Sequence, residues 1–300
     1  MKQSSIFRSA LVGLLVLIPV AAWAQLTVDC SAGGILQAAV NGAQPGATIL
    51  VLGVCNENIR INDEKARITL DGQNAAIING ANPAGNTILV AGRNITIRGF
   101  TITGGRNGIA VLRGGMGLID SNTIQGASEN GINVAQHSFA GILNNTIRDN
   151  QGAGIRMLDG SSARIGFMDL AQPASGNVIR RNGAAGVLVQ GSSGASLAAN
   201  DISENDGPGV SVQGASHADL AGNQISGNDA DGVSVTQNSF VQLGDLPGLL
   251  NRPNDTTVPN IGFGLSCALN SSVDGQLGTL TGLHGVRKFD GSCSNTPKIW

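Results

Sequence analysis

The sequence predicts an all-β protein built as a solenoid, and three observations support this class. Gly accounts for 44 of the 300 residues, whereas charged residues make up only 13%. Short apolar groups spaced two residues apart alternate with turns rich in Gly, Asn and Ser, which is strand periodicity. The same pattern then recurs along most of the chain, and a regular period of roughly 20–50 residues is typical of a solenoid.

The composition excludes other classes. Gly shows no Gly-X-Y period, which excludes collagen. Hydrophobic residues make up 41% of the chain, which argues against disorder. Glu and Lys are sparse, which argues against a mainly helical protein.

Residues 1–24 predict a secretory signal. Lys2 and Arg8 give it a positive start, an apolar run covers residues 10–20, and Ala-Trp-Ala at 22–24 is a small-x-small cleavage site. The run is short for a bilayer-spanning helix, and no other stretch is long enough. We therefore expect an exported protein, periplasmic or secreted, with no membrane span after signal removal.

The mature chain, residues 25–300, is predicted to be one mildly acidic domain. It retains 16 basic and 20 acidic residues, a net charge of −4. Nucleic-acid backbones select clustered Lys and Arg, so this balance argues against a nucleic-acid partner. We expect an N-terminal cap at 25–46, coils over 47–280 and a C-terminal cap or tail at 281–300.

A short amphipathic helix is predicted for residues 33–43 within the N-terminal cap. Ile35, Leu36, Ala39 and Val40 lie on one face of this helix. The end of a solenoid exposes unpaired backbone groups, so a cap is expected there.

Four cysteines lie in the mature chain, two near each end, and they allow three disulfide connectivities. We favour Cys30–Cys55 and Cys267–Cys293, because each pair closes a loop at one end of the chain and export permits disulfides. Metal binding is the weaker interpretation, since there is no CxxC and no nearby Cys–His cluster.

Early coils are less regular than later ones. Their apolar groups are Thr48–Leu52, Ile59–Ile61, Ile68–Leu70, Ile77–Ile78, Ile88–Val90 and Ile95–Ile97. Later coils share an anchor, a Gly followed by Ile, Val or Leu. The anchors are Gly108, Gly131, Gly154, Gly186, Gly209, Gly232 and Gly264. Successive anchors are 23 residues apart, except for two spacings of 32, which equal 23 plus 9. The extra residues enter after Gly166 and after Gly244.

Other residues keep the same period, so equivalent positions form columns. The first Asn column is Asn122, Asn145, Asn177, Asn200 and Asn223, with Asp255 in the next copy's place. The second Asn column is Asn150, Asn182, Asn205, Asn228 and Asn260. A Ser column is Ser138, Ser161, Ser193, Ser216, Ser239 and Ser271. Each repeat is therefore interpreted as three short strands joined by three turns.

Stacking of equivalent strands in parallel, about 4.8 Å apart, would bury a continuous core and align these columns. A leucine-rich repeat can share this period, but it needs an L-x-x-L-x-L segment. The inward positions here are mostly Ile, Val and Ala, so the sequence favours a β-solenoid.

The segment 200–212 carries the motif N-x-I-x-x-N-x-x-x-G-[IV]-x-V. This motif resembles the repeat of bacterial exported right-handed parallel β-helix proteins, the pectate-lyase-like superfamily, and the resemblance covers roughly residues 47–280. It implies a right-handed parallel β-helix with a helix plugging its N-terminal end. The galacturonan-hydrolase signatures of this fold (Asn-Thr-Asp, Asp-Asp, Gly-His-Gly, Arg-Ile-Lys) and the Asp-Pro-His-Asp motif of alginate epimerases do not occur in the sequence, so no specific enzyme family is matched.

The Asn and Ser columns recur in nearly every coil, so we assign them to backbone hydrogen bonding. His137, His217 and His284 lack metal-ligand spacing and are interpreted as solvated turn residues. Phe139 and Phe240 share a column and are interpreted as turn packing.

The candidate site consists of residues that break the columns: Arg148, Arg180, Arg181, Asp149 and Glu204. Arg148 and Arg180 share a column in adjacent coils, and Asp149 and Glu204 share the column of Arg181 in the coils on either side. Such a wall would bind a carboxylated sugar with Arg as bidentate partner. A surface ion-pair group of little energetic worth is the other interpretation.

More charges are expected on the same wall. They are Arg156, Asp159 and Arg164, together with Asp169 in the first insertion, residues 166–176.

The resemblance implies a protein that binds or processes polysaccharide, with an acidic, uronate-containing polysaccharide as the candidate. If it is an enzyme, a polysaccharide lyase or glycoside hydrolase is implied, with Arg residues neutralising substrate carboxylates or acting as base and the acids positioning Ca²⁺. No other cofactor is expected. The alternative is a non-catalytic, adhesin-like surface or envelope scaffold. The mature chain has six Phe, one Trp and no Tyr, and few aromatic faces argue against a sugar-cleaving enzyme.

Overall fold

The computed structural model describes residues 25–169, 173–246 and 250–295, so the predicted signal at residues 1–24 lies outside the described residues. The chain forms the predicted right-handed parallel β-helix, with coils of about 23 residues. Three faces run along it, and each regular coil contributes a short strand to each face in turn. The three corners between faces are named here in chain order: the first joins the first face to the second, the second joins the second to the third, and the third leads into the next coil.

In the described chain, the first face is a sheet of ten parallel strands. The strands are Ile59–Ile61, Ile88–Val90, Ile109–Val111, Ile132–Val134, Ile155–Met157, Val187–Val189, Val210–Val212, Val233–Val235, Phe263–Cys267 and Gly285–Phe289.

The second and third faces join into one sheet, because the second corner is short. Thr69–Gly80 and Ile95–Gly104 run through this corner and belong to both faces. The other strands of the second face are Gln25–Asp29, Thr48–Leu52, Met116–Asp120, Phe139–Leu143, Ser162–Ile165, Gly194–Ala198, His217–Ala221, Phe240–Leu243, Ser272–Gly275 and Ser294–Asn295. The other strands of the third face are Val54–Asn56, Thr123–Gln125, Thr146–Arg148, Val178–Arg180, Asp201–Ser203 and Gln224–Ser226. The second insertion forms an antiparallel pair, Asp245–Leu246 with Leu250–Asn251.

The core is a stack of aliphatic side chains along the helix. On the third face, the central residue of each strand points inward, and these residues lie directly over one another. They are Ile124, Ile147, Ile179, Ile202 and Ile225, all fully buried. Burial of each such side chain stabilises the fold by about 1.5–3 kcal/mol.

The first Asn column forms a buried ladder at the second corner. The side-chain oxygen of Asn145 accepts from the backbone N–H of Asn122 at 2.9 Å, and the amide nitrogen of Asn145 donates to the carbonyl of Ile119 at 2.9 Å. Both of these bonds reach the preceding coil, and the amide nitrogen of Asn145 also donates to the side-chain oxygen of Asn177 in the following coil at 3.0 Å. This confirms the structural interpretation of the column.

The assignment of Asp255 to this column was wrong. Asn254 occupies the ladder position, where its side-chain oxygen accepts from the backbone N–H of Asn223 at 3.1 Å. The second insertion is one residue shorter at this point than the anchor spacing implies, and the following turn, from Asn254 to Asn260, is one residue longer than the turn from Asn223 to Asn228. The two differences cancel before the next anchor, so the period hides them.

The other two columns also form ladders. At the first corner, the hydroxyl of Ser161 accepts from the backbone N–H of Ser138 at 3.1 Å. At the third corner, the side-chain oxygen of Asn182 accepts from the amide nitrogen of Asn150 at 2.9 Å. All three corners therefore satisfy buried polar groups from one coil to the next.

The N-terminal end carries the predicted helix, which spans Leu36–Gly42 and follows a 3₁₀ turn at Cys30–Ala32. Leu36 and Val40 are buried, but Ile35 is 62% exposed, so its placement on the buried face was wrong. Ile35 precedes the helix in an extended conformation, and its side chain is therefore not in helical register. The Glu57 carboxylate accepts from the first two helical N–H groups, those of Leu36 and Gln37, at 2.7 and 2.9 Å.

Both favoured disulfides are present, Cys30–Cys55 and Cys267–Cys293. The second joins the end of strand Phe263–Cys267 to the turn that follows the next strand of the first face, Gly285–Phe289. At the C-terminal end, strands Gly285–Phe289 and Ser294–Asn295 continue the first and second faces, so the described part of residues 281–300 adds one more coil. In the described ranges, no helix is long and apolar enough to cross a membrane.

Candidate functional site

Arg148 and Arg180 end adjacent strands of the third face and are register partners. The residues before them, Ile147 and Ile179, point into the core, so both Arg side chains point outward. The strand spacing of about 4.8 Å places two like charges side by side, which is unfavourable without a counter-charge.

Asp149, Arg181 and Glu204 form a second row one residue further on, at the third corner. Their φ angles lie between +51° and +56°, and the equivalent residues in the flanking coils, Gly126 and Gly227, adopt the same left-handed conformation. The turn is thus a regular part of the coil. At this position, the three coils have a charged side chain where the flanking coils have Gly.

Arg181 and Asp149 form the central ion pair of the row. The Arg181 Nε donates to Asp149 Oδ1 at 2.9 Å and its Nη2 donates to Oδ2 at 3.3 Å, while Arg148 donates to the same carboxylate from the other side. The hydrogen bond from Arg181 is the main reason that the pKa of Asp149 lies below its ordinary value, with burial opposing it and Arg148 adding to it. Glu204 lies farther away, 3.8 Å from Arg181.

Arg180 has no ion pair among the described residues. Its Nε is buried without a hydrogen-bond partner, and so are Gln125 Oε1 and Asp201 Oδ1 on the same face. A buried donor without a partner costs about 1–3 kcal/mol. The third face therefore combines a row of two Arg side chains with polar groups that the protein itself leaves unsatisfied.

The carboxylates of Asp149 and Glu204 lie two coils apart, with the Arg181 guanidinium between them. They face a protein cation instead of forming one set of ligands. Among the described residues, one group has three ligand-type side chains within 4.8 Å of one another, Cys30, Cys55 and Glu57. Its sulfurs form a disulfide and its carboxylate caps the helix.

The expectation that Arg156, Asp159 and Arg164 share this wall was wrong. Arg156 is the outward residue of a first-face strand. With the Gln190 amide turned to accept, the Nη2 and Nε of Arg156 donate to its side-chain oxygen at 2.7 and 3.1 Å. Asp159 lies at the first corner, and Arg164 lies on the second face. The chain turns two corners between Asp149 and Arg164, so charges close in sequence point in different directions.

A group on the second face was not predicted from the sequence. His217 and Asp219 point outward from one strand, and Ser196 of the preceding coil donates to Asp219 at 3.3 Å. Half-burial raises the pKa of Asp219, against the effects of Ser196 and His217. The available signal was Gly194, which stands in a column otherwise held by larger side chains.

A family model described as "Right handed beta helix region" matches residues 47–167 and 174–245. The chain belongs to the right-handed β-helix family. This β-helix protein is 31% identical to a cell surface glycoprotein of Methanothermus fervidus, over 36% of its own length and 23% of that relative.

Two solved structures show the same fold. Tailspike protein 2 of bacteriophage CBA120, in its enzymatically active domain, has a TM-score of 0.65 and 14% identity, over 92% of this chain and 47% of that domain. Pectate lyase Pel9A has a TM-score of 0.56 and 12% identity, over 92% of this chain and 78% of the lyase. The β-helix protein thus spans about a quarter of the glycoprotein and about half of the tailspike domain.

Proposed function

We propose that this exported β-helix protein binds an acidic polysaccharide on its third face, with Arg148 and Arg180 holding sugar carboxylates. The observation that carries the proposal is the unpaired guanidinium of Arg180, whose buried Nε lies in the same column as a second Arg. Arg181, Asp149 and Glu204 form the edge of this surface at the third corner.

The physical argument is one of charge balance. Asp149 neutralises Arg181 and pairs with Arg148, so Arg180 remains without a carboxylate among the described residues. A carboxylate on the ligand would lie between the two like charges and pair with the guanidinium of Arg180, which has no ion pair of its own in the described chain. Arg binds carboxylates through paired hydrogen bonds, so the interaction also selects one orientation of the ligand carboxylate.

Binding is tested with the mature chain and two polyuronates, polygalacturonate and alginate, with neutral dextran as reference. Calorimetry should detect binding of the polyuronates and no binding of dextran. Arg180→Ala should weaken polyuronate binding about 10-fold or more, the usual loss for a hydrogen bond to a charged group. Arg98→Ala is the matched control, because Arg98 is exposed, is paired with Asp71 and lies away from the site. Equal affinities for Arg180→Ala and the unaltered chain would contradict the proposal.

Turnover is tested in the same samples, with and without added Ca²⁺. A lyase produces unsaturated products that absorb near 235 nm, whereas a hydrolase produces new reducing ends without that absorbance. In a lyase, Arg148 or Arg180 would take the proton next to the uronate carboxylate. We propose binding as the primary role, since both acids of the row already face Arg181.

A non-catalytic scaffold is the second candidate. It is supported by the ladders at all three corners and by a disulfide near each end, which together make a uniform, stiff rod. Such a rod would present its walls to a partner on the cell surface. Absence of binding and of turnover across the polysaccharides would favour this role.

A further inference from the structure

The second face contains a depression with walls unlike those of the third face. Phe139, Ser162, Gly194 and His217 occupy one outward column in four successive strands. Gly194 leaves room in this column for the imidazole of His217, and a cavity with a volume of about 350 Å³ lies beside that ring. That volume falls within the range of roughly 300–1,000 Å³ that small-molecule sites occupy.

The side chain of His217 forms one wall of this cavity. A Cβ atom on Gly194 would lie 2.4 Å from Cε1 of His217, so the imidazole leans back over the glycine. Phe139 forms the opposite wall, three strands away, and three strand spacings of about 4.8 Å separate the two backbones by about 14 Å. The cavity is therefore a slot with an aromatic ring at each end and Ser162 between the rings, while the imidazole of His217 covers Gly194.

Polar groups line the slot from the neighbouring outward column, which contains Arg164 and Ser196. Arg164 has no ion pair among the described residues; its guanidinium donates to the carbonyl of Met168 and lies 5.7 Å from the Phe167 ring centre. Ser196 connects the slot to Asp219 through its hydroxyl. The set thus offers guanidinium donors, two hydroxyls and a nearby carboxylate acceptor.

We infer that this slot binds a single neutral sugar ring. Flat apolar walls contact the faces of a pyranose, and a mixed set of donors and acceptors suits its hydroxyl groups. Arg164 and Asp219 lie in the same outward column with Ser196 between them, so this part of the face has one positive and one negative group, and an acidic ring gains little here, in contrast to the third face. The inference does not rest on the proposed function, because it uses another face, other residues and another class of sugar.

The test is saturation-transfer NMR on the mature chain with D-glucose, D-galactose, D-mannose and L-rhamnose, and with D-glucuronate as the acidic probe. At least one neutral sugar should bind, and D-glucuronate should bind no better. Gly194→Ala places a Cβ atom where the His217 imidazole lies and so displaces one wall, and Phe139→Ala removes the other wall. Each variant should weaken binding about 10-fold or more, with the transferred signal lost at the same sugar concentration.

Phe240→Ala is the matched control. Phe240 stands in the same column, one strand beyond His217, but does not line the cavity. This variant should bind as the unaltered chain does, and a thermal melt should show that all three variants fold. Two results would overturn the inference: no neutral sugar binds, or Phe139→Ala and Phe240→Ala bind equally well.

Discussion

The Asn column at the second corner and the charged row at the third corner stack side chains in the same way. They differ in how completely these side chains find hydrogen-bond and charge partners within the protein. The Asn residues are at most 2% exposed, and each side chain bonds both neighbouring coils. In the charged row, the side chains of Asp149, Arg181 and Glu204 are 39%, 41% and 60% exposed, and the adjacent Arg180 has no ion pair in the described chain.

This difference separates stability from recognition. A group that repeats in every coil and finds all its partners within the protein has no capacity left for a ligand. A group that appears in three coils, in place of Gly, adds little to the fold because exposed ion pairs contribute about 0–1 kcal/mol. Substitutions in the two regions should therefore have effects of different size and different kind.

The largest effect is expected for Asn177→Ala, in the middle of the Asn column. Asn177 accepts from the N–H and the amide of Asn145 and donates to the carbonyl of Ile142 and to Asn200. Its removal leaves several buried groups without partners, so the free energy of unfolding should fall by about 2–4 kcal/mol. Urea denaturation monitored by circular dichroism measures this loss.

Asn133→Ala is the control for that measurement. Asn133 faces outward on the first face, and its side-chain oxygen has no partner in the described chain. Its removal takes away a buried oxygen that has no partner, so the free energy of unfolding should stay the same or rise. Similar losses for the two variants would show that the buried ladder is not what holds the coils together.

The fold was predictable because its signal is repeated. Each column is sampled five or more times, so the periods of Gly108, Asn122 and Ser138 reinforce one another. The disulfides followed from the position of the cysteines near the chain ends. A single irregular copy has no such support, which is why Asp255 was placed in the ladder instead of Asn254.

The sites were harder to predict than the fold, because a site depends on where side chains point. The position of Arg181 between Asp149 and Glu204 followed from the columns and is confirmed by the contacts, whereas a catalytic role for these residues stays a prediction. The sequence could not place Arg164 on a different face from that group, because it does not show where the chain turns the corners between Asp149 and Arg164. The slot at Gly194 depends on the direction in which the His217 side chain leans, and no period encodes that.

A smaller effect is expected for Asp149→Asn in the charged row. The pKa of Asp149 is lowered in the folded state, chiefly by Arg181, so its ionised form stabilises the fold above its ordinary pKa of 3.8. At pH 7 the variant should lose at most about 1 kcal/mol, because the pair is exposed. That loss should disappear as the pH falls through 3.8 and below, and should shrink in 1 M salt.

Denaturation curves of Asp149→Asn and the unaltered chain at pH 7 and pH 3 measure this difference. Uronate binding by the variant should be retained or improved, because Arg148 and Arg181 lose a competing carboxylate. A stability loss that is equal at both pH values would show that the Asp149 charge is not responsible.

The smallest effect, and one of opposite sign, is expected for Asp219→Asn on the second face. Half-burial raises the pKa of Asp219 in the folded state, so ionisation costs the folded state more than the unfolded state. Below its ordinary pKa of 3.8 the carboxyl is protonated in both states and the cost is absent. As the pH rises through 3.8 and then through the raised folded-state value, the cost appears and remains.

Asn keeps an oxygen that can accept from Ser196 without carrying the charge. The variant should therefore be slightly more stable than the unaltered chain at pH 7 and no more stable at pH 3, by denaturation at the two pH values. A variant that is less stable at pH 7 would show that the Asp219 charge gains more from Ser196 and His217 than it loses through burial.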